Sequence, residues 1–327
     1  MPAMTPAAAK PVLYASITRC LLLLAALSVA AMARAAGPAP KTQPGYYRMM
    51  LGDFEITALS DGTLELPIID LLRTSHKRTA TALARKGLAS PVETSVNAYL
   101  INTGAKLVLI DAGAGISFGP TLGKLVASLQ AAGYTPDQVD EIYITHMHGD
   151  HLGGITADGK PVYPNAIVRV EQKDADFWLD AKTMESAPQE ARNFFRIAMA
   201  AVEPYQAAGR LRPFSGETEL VPGVRAVPAR GHTPGHTVYV VESRGQKLVL
   251  WGDIMHVAAV QFPDPSVTIT FDTDSRAAAT ARRKVFADAA QRGLWVGAAH
   301  VSFPGLGKLR PDGKGYDWIP ANYSVPR

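Results

Sequence analysis

From Tyr46 onward, short apolar runs alternate with polar turns. Residues 54–59, Phe-Glu-Ile-Thr-Ala-Leu, alternate with the two-residue period of a half-buried strand and run into Asp61-Gly62, a hairpin-turn signal. Residues 96–101 and 106–110 predict two more strands, parted by Asn102-Thr103-Gly104-Ala105, and the second ends at Asp111-Ala112-Gly113. Leu122, Leu125, Val126 and Leu129 recur at helical spacing, which predicts a helix over 121–132 with Gly133 as its stop. Residues 139–145 and 166–170 predict strands, and 174–207 predicts helix, interrupted near Ser186-Ala187-Pro188.

The second half repeats the theme. Strands are predicted over 224–228, 237–241, 247–251 and 294–298, and a helix over 276–292 behind Thr273-Asp274-Ser275. No linker divides this stretch, so 46–327 reads as one domain. The order of elements predicts an α/β fold, a four-layer α/β/β/α sandwich with helices on its outer faces. The candidate ligands described below each fall just past the C-terminal end of an apolar run, where such sheets present their functional loops.

Residues 1–35 stand apart from this pattern. Lys10 and Arg19 precede an apolar run at 21–32, too short to span a bilayer comfortably, and Ala33-Arg34-Ala35 follows as a small-x-small cleavage site. This predicts a secretory leader removed near Ala35, and hence an exported protein, periplasmic or secreted; an uncleaved N-terminal anchor is the alternative. Residues 36–45 form a Pro-rich arm. Cleavage would remove Cys20, the single cysteine, and leave no thiolate ligand and no disulfide. It would also lower Lys+Arg from 33 to 30 against 29 Asp+Glu. The basic balance therefore belongs to the leader, and charge gives no argument for nucleic acid or anionic membrane as a partner.

The candidate chemistry is concentrated at Thr145-His146-Met147-His148-Gly149-Asp150-His151. Three imidazoles and a carboxylate on one short turn are the donors that borderline divalent metals select. Of the eight histidines, His146, His148 and His151 lie here, His232 and His236 share Gly231-His232-Thr233-Pro234-Gly235-His236, and His256 follows Gly252-Asp253. His300 closes a strand, and His76 reads as a surface residue.

The 145–151 peptide resembles the H-x-H-x-D-H motif of the metallo-β-lactamase superfamily. Gly231-His232-Thr233-Pro234-Gly235, Trp251-Gly252-Asp253 and Ala299-His300 resemble its later metal motifs, in order. Residues 231–243, 251–262 and 299–307 are most similar to its methyl parathion hydrolase-like branch, a neighbour of the quorum-quenching lactonases. The resemblance implies two divalent metals, zinc first, with manganese, iron or cobalt also suited to such donors. His146, His148 and His232 would hold one metal, Asp150, His151 and His300 the other, and Asp253 would bridge them. His236 competes with His232 for its role, and the resemblance favours His232. Asp111 reads as a supporting carboxylate. A hydroxide shared by the metals would be the nucleophile, with Asp150 and Asp253 helping to move its proton.

The resemblance also places Phe118, Trp178, Phe194, Phe195, Phe262 and Phe271 near the substrate mouth. Bulk at His256, Ile269 and Phe271 would crowd a tetrahedral phosphotriester more than a planar lactone. The expected activity is therefore opening of lactones or cleavage of aryl esters, an aromatic lactone such as dihydrocoumarin being a concrete candidate, with weak phosphotriesterase activity. Alternatives are a phosphotriesterase of the methyl parathion type, a β-lactamase, a thioesterase resembling glyoxalase II, and a non-catalytic periplasmic metal-binding protein. The resemblance implies a homodimer.

Overall fold

The computed structural model describes residues 1–3 and 43–324. The leader expected at 1–35, apart from its first three residues, and most of the 36–45 arm lie outside the described residues. Six strands form the first sheet in sequential order: β1 (Tyr46–Leu51), β2 (Phe54–Leu66), β3 (Val92–Asn102), β4 (Leu107–Ile110), β5 (Glu141–Tyr143) and β6 (Ile167–Arg169). Seven form the second: β7 (Thr218–Val221), β8 (Val224–Pro228), β9 (Thr237–Ser243), β10 (Gln246–Leu250), β11 (Trp295–Gly297), β12 (Leu306–Asp312) and β13 (Gly315–Pro320). Neighbours pair antiparallel except β4–β5, β5–β6 and β10–β11, where helical or loop crossovers return the chain in the same sense.

Period-two alternation sorts the side chains into layers. Ile56, Tyr99, Val108 and Ile110 from one sheet meet Val224, Tyr239, Val241 and Leu250 from the other in the central core. Leu59, Leu100, Leu109 and Ile142 face the opposite way, against α2 (Leu125–Ala131), α3 (Gln172–Trp178) and α5 (Arg192–Ala207). Val238, Val249 and Val296 pack against Phe286 and Ala289 of α6 (Ser275–Arg292). These three cores make the four-layer α/β/β/α sandwich. The remaining longer helices are α1 (His76–Ala84) and α4 (Ala181–Ser186). No helix among the described residues is long and apolar enough to cross a membrane.

Three local expectations change. Asp61-Gly62 is not a hairpin turn: β2 continues to Leu66, with a bulge between Ser60 and Gly62 that leaves Asp61 outside the ladder with β3. The bulge turns the Asp61 carboxylate inward, where it accepts N–H groups from Ala114, Gly123 and Leu125 at 2.9–3.1 Å. The helix predicted over 121–132 starts only at Leu125, because 113–124 is a loop held by that carboxylate and Gly123 takes a left-handed φ of 76°. The interrupted helical stretch begins two residues earlier than predicted, at Gln172.

Candidate metal centre

Every predicted ligand follows a strand end. β5 delivers the 145–151 turn, the β8–β9 connection delivers His232, β10 delivers Asp253 and β11 delivers His300. Asp111, at φ 59° just past β4, anchors the first turn. Its carboxylate accepts the Thr145 backbone N–H (2.8 Å) and hydroxyl (2.9 Å) and lies 2.8 Å from His151 Nδ1. Gly252, at φ 54°, lets the Asp253 loop press against the same turn; a Cβ there would lie 2.7 Å from Thr145 Oγ1 and 3.0 Å from His236 Nε2. Only a residue without a side chain accepts both that backbone angle and that approach.

The side chains converge into two clusters. In the first, His148 Nδ1 lies 3.0 Å from His146 Nε2 and 3.1 Å from His232 Nε2. The second contains Asp150, His151 and His300, with both His Nε2 atoms 3.4–3.5 Å from Asp150 Oδ2. Asp253 stands between them. Its Oδ2 faces His146 (3.6 Å) and His232 (3.3 Å), while its Oδ1 faces His151 (3.1 Å) and His300 (3.0 Å). Each cluster mixes residues from both sheets.

The donor set fits two divalent metals. His146, His148, His232 and Asp253 form one group able to hold an ion, and Asp150, His151 and His300 form another. His151 Nε2 and Asp253 Oδ1 are buried and face each other at 3.1 Å, yet neither makes a well-aligned hydrogen bond among the described residues, as lone pairs aimed at a shared cation would not. One N–H can bridge only one of the two approaches that His148 Nδ1 makes at 3.0 and 3.1 Å, whereas a cation would engage all three rings at once. The opposite ring nitrogens are fixed by carboxylates or a carbonyl: His151 by Asp111, His232 by Asp272 (2.9 Å) and His300 by the Ser95 carbonyl (2.9 Å). Such partners set the tautomer and aim Nε2 at the cluster.

Charge states follow burial and neighbours. Burial holds His146 and His148 well below the usual histidine range, and the surrounding histidines push them the same way. Burial also opposes charge on His232, but Asp253 and Asp272 outweigh it and lift that ring to about 9. His236 is brought down to about 3 by burial and by His232. Its Nδ1 lies 3.1 Å from the Ala229 carbonyl, and its Nε2 accepts the Asp253 N–H at 3.0 Å. With both nitrogens engaged, His236 supports the Asp253 loop and offers no lone pair to a metal.

A cavity of about 140 Å³ opens onto the clusters. His148, Asp150, Asp253, His256 and His300 form one side, and Leu64, Leu66, Phe118, Phe194 and Phe271 form the other. Asp150 is the most exposed carboxylate of the clusters, its side chain 19% accessible. Of the expected pocket residues, Phe118, Phe194, His256 and Phe271 line this cavity, whereas Trp178, Phe195, Ile269 and Phe262 do not. Successive residues of a helix point about 100° apart. Phe194 therefore faces the cavity while Phe195 turns into the core against Trp178, with ring centres 4.6 Å apart. Trp178 still braces the far side of His148. Ile269 packs behind the wall, and Phe262 stacks on Trp318. His76 is exposed.

Sequence reasoning missed Leu64 and Leu66, hidden beyond a false turn, and Asp272, whose only signal was the polar 272–275 cluster. Asp174 was also missed, because in the sequence it marks only the start of a predicted helix.

The profile of the metallo-beta-lactamase superfamily matches residues 91–296, well over half of the chain. The chain belongs to the metallo-beta-lactamase superfamily. Among solved members, the hydrolase AbOPH is 38% identical, with a TM-score of 0.83 over 87% of this chain and 100% of that one. AidC, a dizinc quorum-quenching lactonase bound to a homoserine product, is 28% identical, with a TM-score of 0.80 over 86% of this chain and 99% of its own. Among curated superfamily relatives, an N-acyl homoserine lactonase from Bacillus cereus is 25% identical across 39% of this chain and 42% of that protein. A ribonuclease from Thermus thermophilus is 28% identical across 54% of this chain and 38% of its own length. The chain thus spans less than half the length of these two curated relatives. It carries the residue set of a metal-dependent hydrolase of this superfamily.

Proposed function

We propose that the protein is a binuclear metal-dependent hydrolase that opens lactones and cleaves aryl esters, with an aromatic lactone such as dihydrocoumarin as a fitting substrate. The observation that carries this reading is a small apolar chamber set directly against both clusters. Its volume, about 140 Å³, is close to the ~150 Å³ cavity that accommodates one benzene ring. Three phenylalanines and two leucines supply its apolar wall, and no Lys or Arg among the described residues lines it. That favours a flat, neutral substrate over one carrying a carboxylate, such as a β-lactam or a glutathione thioester. His256 and Phe271, with ring centres 6.1 Å apart, narrow the chamber and favour a planar carbonyl over a tetrahedral phosphotriester. The likeness to AidC and to the Bacillus cereus lactonase supports the lactone class.

His146, His148 and His232 would hold one metal, Asp150, His151 and His300 the other, and Asp253 would reach both with one oxygen each. Two such ions, when bound, polarise the substrate carbonyl and supply an ionised water at neutral pH. The phenylalanine wall holds the ring flat against the clusters and keeps bulk water out. Asp150 is ionised, since His151 and His300 overcome the effect of its burial. Its accessible carboxylate can relay the proton that remains on the attacking oxygen to the leaving oxygen. Asp253, backed by the His236 hydrogen bond to its backbone, keeps the clusters in register. The same reading makes the protein exported, through the leader expected at 1–35, and a homodimer.

The test is a substrate panel on metal-quantified protein, comparing dihydrocoumarin, an acyl-homoserine lactone, an aryl ester, a phosphotriester and a β-lactam. We expect the aromatic lactone to have the highest kcat/KM. The phosphotriester should fall about 100-fold lower, a transition-state difference of about 3 kcal/mol. A phosphotriester kcat/KM equal to that of the lactones would sink the assignment. Absence of turnover on every substrate by fully metallated protein would favour a binding role.

A further inference from the structure

Asp174 has no part in the scheme above, yet its carboxylate is 1% exposed and joins two metal motifs. It sits in the first turn of α3. Oδ2 accepts the Met147 backbone N–H at 3.0 Å and the Thr233 hydroxyl at 2.9 Å, and Oδ1 accepts the Gly235 N–H at 2.5 Å. Met147 lies between His146 and His148, and Thr233 follows His232. One carboxylate therefore fastens the turn after β5, in the first sheet, to the β8–β9 connection of the second. The fit is close: a Cβ on Gly235 would lie 2.6 Å from the Asp174 backbone nitrogen.

We propose that Asp174 is a positioning residue that sets the spacing between the His146–His148 arm and the His232 arm, and so governs metal affinity at the first cluster and not the second. The second cluster has separate supports, Asp111 for His151 and the Ser95 carbonyl for His300, and neither touches Asp174. A carboxylate is required because all three partners donate. An amide at this position would set its own N–H₂ against the Gly235 N–H in one orientation and against the Met147 N–H in the other. Either clash parts the arms that bring the His146 and His232 Nε2 atoms within 3.1 Å of His148 Nδ1.

The proposal rests on the dimetal reading, so the experiment reports on both. The full chain is stripped with a chelator and titrated with Zn²⁺ against a competing indicator, giving metals per chain and two stepwise Kd values. Wild type should take up two metals. Asp174→Asn should keep one step unchanged and weaken the other by about 10- to 100-fold, the usual effect of losing an outer support. Adding His300→Ala to Asp174→Asn should abolish the tight step, whereas adding His232→Ala should leave it. Wild type with two metals and an Asp174→Asn variant with two unchanged or equally weakened steps would overturn the proposal alone. Wild type with fewer than two metals would overturn the dimetal reading and the proposal with it. If Asp174→Asn does not fold, Thr233→Val removes one of the three bonds. The same step should then weaken several-fold, and two unchanged steps would overturn the proposal.

Discussion

The carboxylates beside His232 favour a proton on its ring. Burial disfavours that charge, but the flanking Asp253 and Asp272 hold the ring at about 9. A metal needs the neutral Nε2, so binding must expel the proton. The sign follows directly. Below about 9 the proton competes with the metal, so affinity at the first cluster rises with pH; above about 9 it levels off. One displaced proton gives about a tenfold change per pH unit. Competition titrations between pH 6.5 and 9 should show that slope, and a flat profile would contradict it. At this scale the sequence was legible where chemistry is carried by rare side chains on short turns, as at His146, His148, Asp150 and His151. It was illegible where support comes from a distant carboxylate or a backbone carbonyl. Asp272 and the Ser95 carbonyl are 40 and 205 residues from the histidines they orient.

Strand β2 shows the same division among elements. Its first half was readable from alternation alone. Its second half was hidden because Asp61-Gly62 has the local chemistry of a turn. What overrides that chemistry is tertiary: Asp61 finds two amide donors on the 113–124 loop and a third on Leu125, the first residue of α2, and becomes the extra residue of a bulge. Bulges re-aim the side chains beyond them. Here Leu64 and Leu66 come to line the cavity opposite the clusters, and the loop tied to Asp61 carries Phe118 to the same wall. Asp61→Ala should therefore act on stability and substrate binding together. Leaving these buried amides unpaired should lower the unfolding free energy by about 3 kcal/mol, measurable by denaturant titration. KM for an aromatic lactone should rise more than kcat falls, because the wall loosens while the metal ligands stay in place. A stability loss with unchanged KM would show that the bulge has no part in shaping the chamber.

For the molecule as a whole, the sandwich was legible from the order of strands and helices, since each apolar face requires a covering layer. The pairing of the two sheets was not, because it depends on Tyr99, Tyr239 and their neighbours meeting across sequence separations that no local pattern records. The clusters lie at the junction of those sheets. Four of the seven proposed ligands follow β5, and three come from the second sheet. Metal binding to the folded state alone should therefore stabilise the entire domain, by about 4 kcal/mol at a thousandfold excess over Kd. For a domain of this size, chelation should lower Tm by about 10 °C, read by calorimetry with and without a chelator. An unchanged Tm would mean that the sheets dock independently of the site.

Asp253 places one oxygen toward each cluster. The turn after β5 reaches it from the first sheet and His232 and His300 from the second, so neither half of the chain holds a complete coordination set. A molecule whose sheets have slipped apart, even with every strand intact, loses both clusters at once. Catalysis then acts as a proofreading signal for assembly: a misdocked sandwich is silent rather than partly active.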